Sequence, residues 1–472
     1  MTMWTSDEIT KATSGKCAQP FNKVNGISID TRTLEKADLF VALYGDNGDG
    51  HIYVKEALEK GASGALVSKI PEGLAESDSL IIVTDTLTAL QDMGVFSRER
   101  AQNAKRIGVT GSVGKTGTKE MLKCALSDQG RTTASLSSYN NHWGVPLSLA
   151  RMPENTQFGV FEIGMNHPGE IRPLTKMVAP HVAIITTVAE SHAAFFKSLE
   201  EIADAKAEIF EGLVPGGTAV INRDHPLYEY MYQKAKRTSV QNIVSFGEHK
   251  DANCRLLACE LLESESHIDA SLNGKIVSYV LPIPGKHWAL NSLSVLLAVD
   301  LVGGDIIQAS RSLLKMVPPK GRGTRHEIEF LQGKCLLIDE SYNANPASMC
   351  AAIAVLGASL PQGQGRRIAI IGDMRELGDI ADDRHADLYE PLMKAKIDQV
   401  YCCGPHMKKL AEKLPAQMLA LHQDLSTQLI EPLLKNLRDG DIVMVKGSLG
   451  TRMAPIVEAL KNQNHANLKA VG

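Results

Sequence analysis

The sharpest chemical signal in this sequence is the stretch Gly108-Val-Thr-Gly111-Ser112-Val113-Gly114-Lys115-Thr116. A short extended run, Arg106 to Thr110, feeds a glycine-rich turn and then a helical stretch from Lys115 to Asp128. In that order the backbone N–H groups of the turn and the helix N-terminus converge on an anion. Lys115 then reaches the β- and γ-phosphates, and the Thr116 hydroxyl is placed to ligate Mg²⁺. Val109 stands where the general phosphate-loop pattern has its first glycine, and Gly111 comes instead. The expected ligand is a nucleoside triphosphate.

Phosphoryl transfer also needs an acidic metal ligand on a neighbouring strand. Phe158-Gly-Val-Phe161-Glu162-Ile163-Gly164 offers an apolar strand with Glu162 near its C-terminal end, and a carboxylate there is costly to bury without a cation. Past the next strand, Glu190-Ser191-His192 falls on the same sheet edge, where His192 is either a surface residue or a further ligand. Lys206 fills the gap in the stripe Leu199, Ile202, Ile209, Leu213, so it is either buried or a lysine that extends its ammonium to water. Near the other end, Asp339-Glu-Ser-Tyr342-Asn-Ala-Asn345 follows a strand, where α/β sheets bind ligands. Lys320-Gly-Arg322-Gly-Thr-Arg325 gathers cations just upstream, with glycines that allow close approach of an anion.

Three stretches of the chain must position these groups. At roughly 100–200 residues per domain, 472 residues hold about three domains. Over 1–103, short strands at 26–29, 39–43, 64–67 and 80–83 alternate with helical stretches, and the charged run 98–106 reads as an exposed linker. Over 104–318, a βαβ series implies a mostly parallel sheet covered on both faces, followed by short alternating strands and a helix from His287 to Leu301. Over 319–472, strands at 335–338, 367–371, 399–402 and 441–445 suggest a second doubly wound sheet.

Composition narrows the classes further. With 50 Lys+Arg against 54 Asp+Glu the net charge is −4, which excludes the broad basic field of a dedicated nucleic-acid binder. No apolar run approaches the ~18 residues of a membrane span, and the first residues lack the basic start and apolar core of a secretory signal. The eight cysteines show no metal-binding spacing and read as buried, reduced thiols. A soluble cytoplasmic protein is expected. On these residues alone an ATPase or GTPase switch stays open, although the Asn-Lys-x-Asp motif of guanine readers is absent.

Taken together, Gly111–Thr116, Phe161-Glu162-Ile163-Gly164, Ala205-Lys206-Ala207-Glu208-Ile209 and Gly285-Lys-His287 with Asn291 occur in the order typical of Mur ligases, which the whole chain resembles. Within that family, Asp339–Ser348 and Ile371–Gly378 resemble the branch that joins D-alanyl-D-alanine to a UDP-N-acetylmuramoyl tripeptide. Asp30-Thr31-Arg32 and Asp38–Leu43 are similar to its UDP-binding domain. No Asp-Asn-Pro-Arg-type motif of the ligases that add the third amino acid is present, and the UDP-domain pattern disfavours a folylpolyglutamate synthetase.

The resemblance implies an α/β protein of three domains. A central P-loop mononucleotide-binding parallel sheet (104–318) is flanked by an N-terminal UDP-binding α/β domain (1–103) and a C-terminal Rossmann-like domain (319–472). It implies ATP and two Mg²⁺ ions, with Gly111, Ser112, Val113, Gly114, Lys115 and Thr116 on the phosphates. Thr116, Glu162, His192 and a carbamylated Lys206 are the implied metal ligands. Asn291 resembles the adenine contact, Arg322 the γ-phosphate contact and Asp339 the ribose contact, with Tyr342 and Asn345 lining the nucleotide cleft. Asn140 and Asn141 fall near the muramoyl peptide, and Asp30, Thr31 and Arg32 near the uridine diphosphate. Lys115, Lys206, His192 and Arg322 are the expected catalytic set. The implied partners are the two substrates, in cytoplasmic peptidoglycan precursor synthesis, with no nucleic acid, no membrane and a monomeric enzyme. Trp288 stands where the family usually has asparagine, with altered packing against the adenine as the expectation.

Overall fold

Strands that are apolar along nearly their whole length must be covered on both faces. Gly64–Val67, Val182–Ile185 and Ile442–Lys446 are buried at every position, and each lies inside a different sheet. The computed structural model describes residues 2–463 apart from 22, 46, 47, 77, 192 and 239. Its three large sheets follow one another along the chain, and each has hydrophobic clusters on both faces.

The first sheet is five-stranded, in the order Lys16–Cys17, Leu80–Ile82, Gly64–Val67, Asp38–Val41 and Gly26–Ser28. Only the Lys16–Cys17 edge is antiparallel. The second has nine strands, ordered Lys275–Leu281, Ser266–Leu272, Cys254–Leu261, Asn242–Gly247, Thr218–Asn222, Val182–Ile185, Lys105–Thr110, Phe158–Glu162 and Thr132–Ala134. Lys275–Leu281, Ser266–Leu272 and Cys254–Leu261 form an antiparallel meander; the other pairings are parallel. The third has six strands, with Thr324–Phe330 antiparallel to Gly333–Glu340 and the rest parallel.

In the second sheet, Lys105–Thr110 lies between Phe158–Glu162 and Val182–Ile185, with Val109 opposite Glu162 and Thr110 opposite Ile185. The phosphate-type loop, Glu162 and the segment after Ile185 therefore leave the sheet along one edge. That is the carboxyl edge, where open α/β sheets bind ligands.

Two readings of the sequence are corrected here. Residues 98–106 are not an exposed linker: Ala101 and Ala104 are fully buried, and Arg106 is nearly so. The Arg106 guanidinium donates to the carbonyls of Val178 and Ala179 at 3.0 Å, at the C-terminus of helix Ile171–Val178. The cysteines are all free, but Cys350 is exposed and only Cys254, Cys335, Cys402 and Cys403 are buried. Strand Thr324–Phe330 was also not anticipated. Its alternating charges give no apolar run, and it is held in place by its hairpin partner.

Neighbouring sheets are tied by particular side chains. Helix Gly144–Ala150 is buried at every position and contributes Leu147 and Ala150 to the first sheet's core. Trp4 Nε1 donates to Ala150 O at 2.9 Å, and Arg151 Nε to Ile27 O at 2.7 Å. Between the second and third sheets, Arg384 grips Glu190 with bonds of 2.5 and 2.8 Å, and Ala194 N donates to Glu376 O. Among the described residues no helix is long and apolar enough to cross a membrane.

Candidate functional site

The glycine-rich loop is short because Val109 belongs to the strand, fully buried within it. Gly111 and Gly114 take φ of +147° and +87°, which side-chain-bearing residues adopt only with strain. A Cβ at Gly111 would run into Thr186 Oγ1, and one at Gly114 into the Asn291 amide. The loop is pinned from below: Thr186 Oγ1 donates to Val113 O at 2.5 Å, Ser112 N to Thr187 O, and Ser112 Oγ to Ala189 O. Helix Lys115–Ser127 starts directly from Gly114, so its free N–H groups face the loop.

Lys115 Nζ folds back onto Gly111 O at 2.6 Å. Burial pushes its ammonium pKa down, with Glu162 opposing and Arg322 adding to the shift. Glu162 is 1 % exposed; Asn140 Nδ2 donates to its Oε1 at 2.7 Å, while its Oε2 is buried with no partner. Lys206 closes the stripe in helix Leu199–Ala207 and is 2 % exposed, so burial is the right one of the two readings. Burial, and then Lys115, drives its ammonium pKa well below the ordinary range. The structure thus brings Lys115, Glu162, Lys206 and Arg322 within electrostatic reach of the loop. His192 lies outside the described residues.

Two cations, Lys115 and Arg322, with the Glu162 carboxylate near Lys115, suit a polyanion. The unpartnered Glu162 oxygen, with the Thr116 hydroxyl on the adjoining helix, suits a hard cation that takes oxygen ligands. Among the described residues no group of three or more His, Cys, Asp or Glu side chains forms a ready metal cage. Such a cation would draw its other ligands from substrate, as Mg²⁺ does.

From the third sheet, Arg322 stacks on the Tyr342 ring at 4.4 Å and donates to Ser138 Oγ at 3.3 Å. Asn291, in helix Lys286–Leu301, sits against Gly114. Trp288, one turn earlier, is turned into the core with its ring against Gly117, where a Cβ would overlap it. Near the same helix start, Gly285, His287, Arg325, Ala351 and Val355 help line a cavity of about 150 Å³ between the second and third sheets.

Other expected residues already hold structural partners. Asp339, 1 % exposed, accepts from Ser341 N at 3.0 Å and Ser341 Oγ at 2.6 Å. Asn345 caps helix Pro346–Ala358 through Ser348 N, and Asn141 accepts from Gly144 N at the start of its helix. Asp30, Thr31 and Arg32 lie apart, on the first sheet. Arg32 pairs with Asp30 at 2.6 Å, its side chain is 86 % exposed, and it holds the Asp30 carboxyl below its usual pKa. Tyr139, beside Asn140, is close enough to Arg32 to influence it electrostatically.

Two buried lysines, Lys119 and Lys446, are not among the residues that the sequence assigns to the site. Lys119 is fully buried one helical turn after Lys115, and its ammonium donates to Ser135 O and Ser137 O. Its spacing of four from Lys115, beside Met121 and Leu122, was the available signal. Lys446, 2 % exposed, bonds Glu340 Oε2 at 3.2 Å and Asn343 O at 3.0 Å, bracing the loop that carries Tyr342. No local pattern marks it, because Glu340 comes from a strand paired only in the folded sheet.

Residues 23–94 match the Mur ligase family catalytic domain, 109–299 the Mur ligase middle domain, and 325–449 the Mur ligase glutamate ligase domain. The UDP-N-acetylmuramoyl-tripeptide–D-alanyl-D-alanine ligase of Rickettsia prowazekii is 34% identical, over 97% of this chain and 99% of that protein. The ligase of the same name from Bacillus subtilis is 33% identical over 96% of each. A crystal structure of MurF from Acinetobacter baumannii superposes with a TM-score of 0.83 at 30% identity, covering 97% of this chain and 99% of that one. With its phosphate loop, its three sheets and full-length relatives of this kind, the chain belongs to the Mur ligase family, in the branch of the UDP-N-acetylmuramoyl-tripeptide–D-alanyl-D-alanine ligases.

Proposed function

We propose that this chain adds D-alanyl-D-alanine to a UDP-N-acetylmuramoyl tripeptide at the expense of ATP, as a monomer in cytoplasmic peptidoglycan precursor synthesis. A carboxylate is a poor electrophile, so the terminal carboxylate oxygen of the tripeptide first attacks the γ-phosphorus of ATP. The bond to ADP breaks and an acyl phosphate forms. The dipeptide amine then attacks the acyl carbon and loses a proton, and the tetrahedral intermediate expels inorganic phosphate to leave an amide. Nucleophile and phosphoryl group are both anionic, so the protein contributes chiefly charge and position.

The loop Gly111–Thr116 with Lys115 would cradle the phosphates, and Arg322 would offset charge on the γ-phosphoryl group. Asn291, Asp339, Tyr342 and Asn345 would line the rest of the nucleotide cleft. Asp339 and Asn345 would use the lone pairs and protons left free by Ser341 and Ser348. Asn140 and Asn141 would meet the peptide, and Asp30, Thr31 and Arg32 the uridine diphosphate, on domains bounded at 103/104 and 318/319.

Thr116, Glu162, His192 and a carboxylated Lys206 would hold two Mg²⁺, which supply charge neutralisation at the phosphoryl oxygens. The neutral amine that burial favours at Lys206 can attack CO₂, forming an N–C bond and releasing a proton. The product is an anion where an ammonium would repel the metals.

One observation carries this reading: a buried carboxylate with an unpartnered oxygen, within electrostatic reach of Lys115 and beside a phosphate loop. The test is phosphate release from ATP with UDP-muramoyl tripeptide, with and without D-Ala-D-Ala. Release that depends on the tripeptide, with amide formed only when the dipeptide is present, is expected. Release indifferent to both substrates would instead mark an ATPase switch.

A further inference from the structure

Segments from two different sheets meet at one hydroxyl. Ser138 Oγ is 3.3 Å from Thr116 Oγ1, at the phosphate loop, and 3.3 Å from Arg322 Nη2, which comes from the third sheet. Arg322 can only donate, so Ser138 accepts from it, and the Ser138 proton is free to turn toward Thr116. Arg322 is also stacked on Tyr342, so two cleft residues of the third sheet are registered through this contact.

The segment carrying Ser138 is fixed on both sides. Before it, Lys119 is fully buried and donates to Ser135 O at 2.9 Å and Ser137 O at 3.1 Å, with Glu120 as its ion-pair partner. After it, Asn140 holds Glu162 Oε1 at 2.7 Å, and Asn140 O accepts from Gly164 N at 2.8 Å. Ser137 itself takes the left-handed conformation, with φ of +47°. A non-glycine residue stays there only when its surroundings enforce it.

We propose that Ser138 is a positioning residue for ligation: its hydroxyl sets Arg322 of the third sheet against Thr116 of the phosphate loop, so that the guanidinium meets the transferring phosphoryl group. This rests on the reading of Gly111–Thr116 as the ATP phosphate site. Lys119 is the anchor that keeps the hydroxyl in register.

The test is steady-state kinetics of Ser138→Ala, Ser138→Thr, Arg322→Lys and the double variant Ser138→Ala/Arg322→Lys, with melting temperatures. Ser138→Ala should lower kcat about 10- to 100-fold, the scale of losing a hydrogen bond to a charged group. The KM for UDP-muramoyl tripeptide and the melting temperature should hold, and Ser138→Thr, which keeps the hydroxyl, should restore most of kcat. In the double variant the Ser138→Ala effect should largely vanish, because the guanidinium it orients is gone. Wild-type kcat in Ser138→Ala, a loss confined to the KM of the UDP substrate, or full additivity with Arg322→Lys would overturn the proposal. Lys115→Ala, assayed alongside, separates the failures: if it stays active, the phosphate-site reading falls; if it alone is dead, only the role of Ser138 does.

Discussion

The charged residues of the second sheet's carboxyl edge and those of the first sheet's Asp30–Arg32 turn solve opposite problems. At the edge, Glu162 is 1 % exposed with one oxygen unpartnered, and Lys206 is 2 % exposed with burial and Lys115 both acting against its charge. At the turn, Arg32 and Asp30 satisfy each other at 2.6 Å in open water. The first arrangement costs stability, because buried charge without a partner is unfavourable. It keeps charges fixed in a dry site, where they act on developing charge far more strongly than in water. The second costs little and is worth little until a ligand anion displaces one partner. Glu162 and Lys206 are held dry and uncompensated, whereas Asp30 and Arg32 are held paired at the surface.

That contrast can be broken most directly at Lys115, whose ammonium donates to Gly111 O. Lys115→Ala should cost at least ~10³-fold in kcat, on the scale of removing a principal electrostatic group, with the melting temperature nearly unchanged. Activity near wild type would place the phosphates elsewhere.

Lys206→Ala comes next. It should lose most activity and regain part of it in formate or acetate, small carboxylates able to fill the space of a carbamate. Full activity without added carboxylate, or mass evidence for an unmodified amine in active, metal-loaded enzyme, would refute a carboxylated Lys206.

Glu162→Gln sharpens the stability side of the comparison. It should cut Mg²⁺-dependent turnover about 100-fold, since a lost ion contact at a phosphoryl site is worth a few kcal/mol, while the melting temperature stays level or rises. A large fall in melting temperature would show that the carboxylate is a structural partner and not a cation site.

The smallest effect belongs to the turn. Arg32→Ala should raise the KM for the UDP substrate by about tenfold and leave kcat alone, the mark of uniform binding lost. A collapse of kcat at saturation would mean that the turn takes part in the chemistry.

Much of this site could be read from local pattern. The phosphate loop, the apolar strand ending in Glu162 and the stripe around Lys206 each lie within one short segment, where strand and helix periodicity decide which side chains face inward. Residues whose meaning depends on a distant partner were illegible. Arg106 looked like part of an exposed linker until the carbonyls of Val178 and Ala179 came to meet it. Strand Thr324–Phe330 has no apolar run of its own and exists through its pairing with Gly333–Glu340. Asn141 and Asn345 carried the right chemistry for a ligand, yet both are spent in part on capping the helices that follow them.

By itself, then, the order of residues determined the α/β class, the phosphate loop and the family to which the chain belongs, because each is written in contiguous spacing. Only the tertiary structure decided that Lys206 is buried and not extended to water, and that one Glu162 oxygen stays unpartnered. It alone brought Arg322, which leads into the third sheet, to Ser138, beside a phosphate loop more than two hundred residues earlier in the chain. Burial and pairing are properties of the space around a side chain. That space is assembled from strands and helices whose sequence neighbours lie elsewhere.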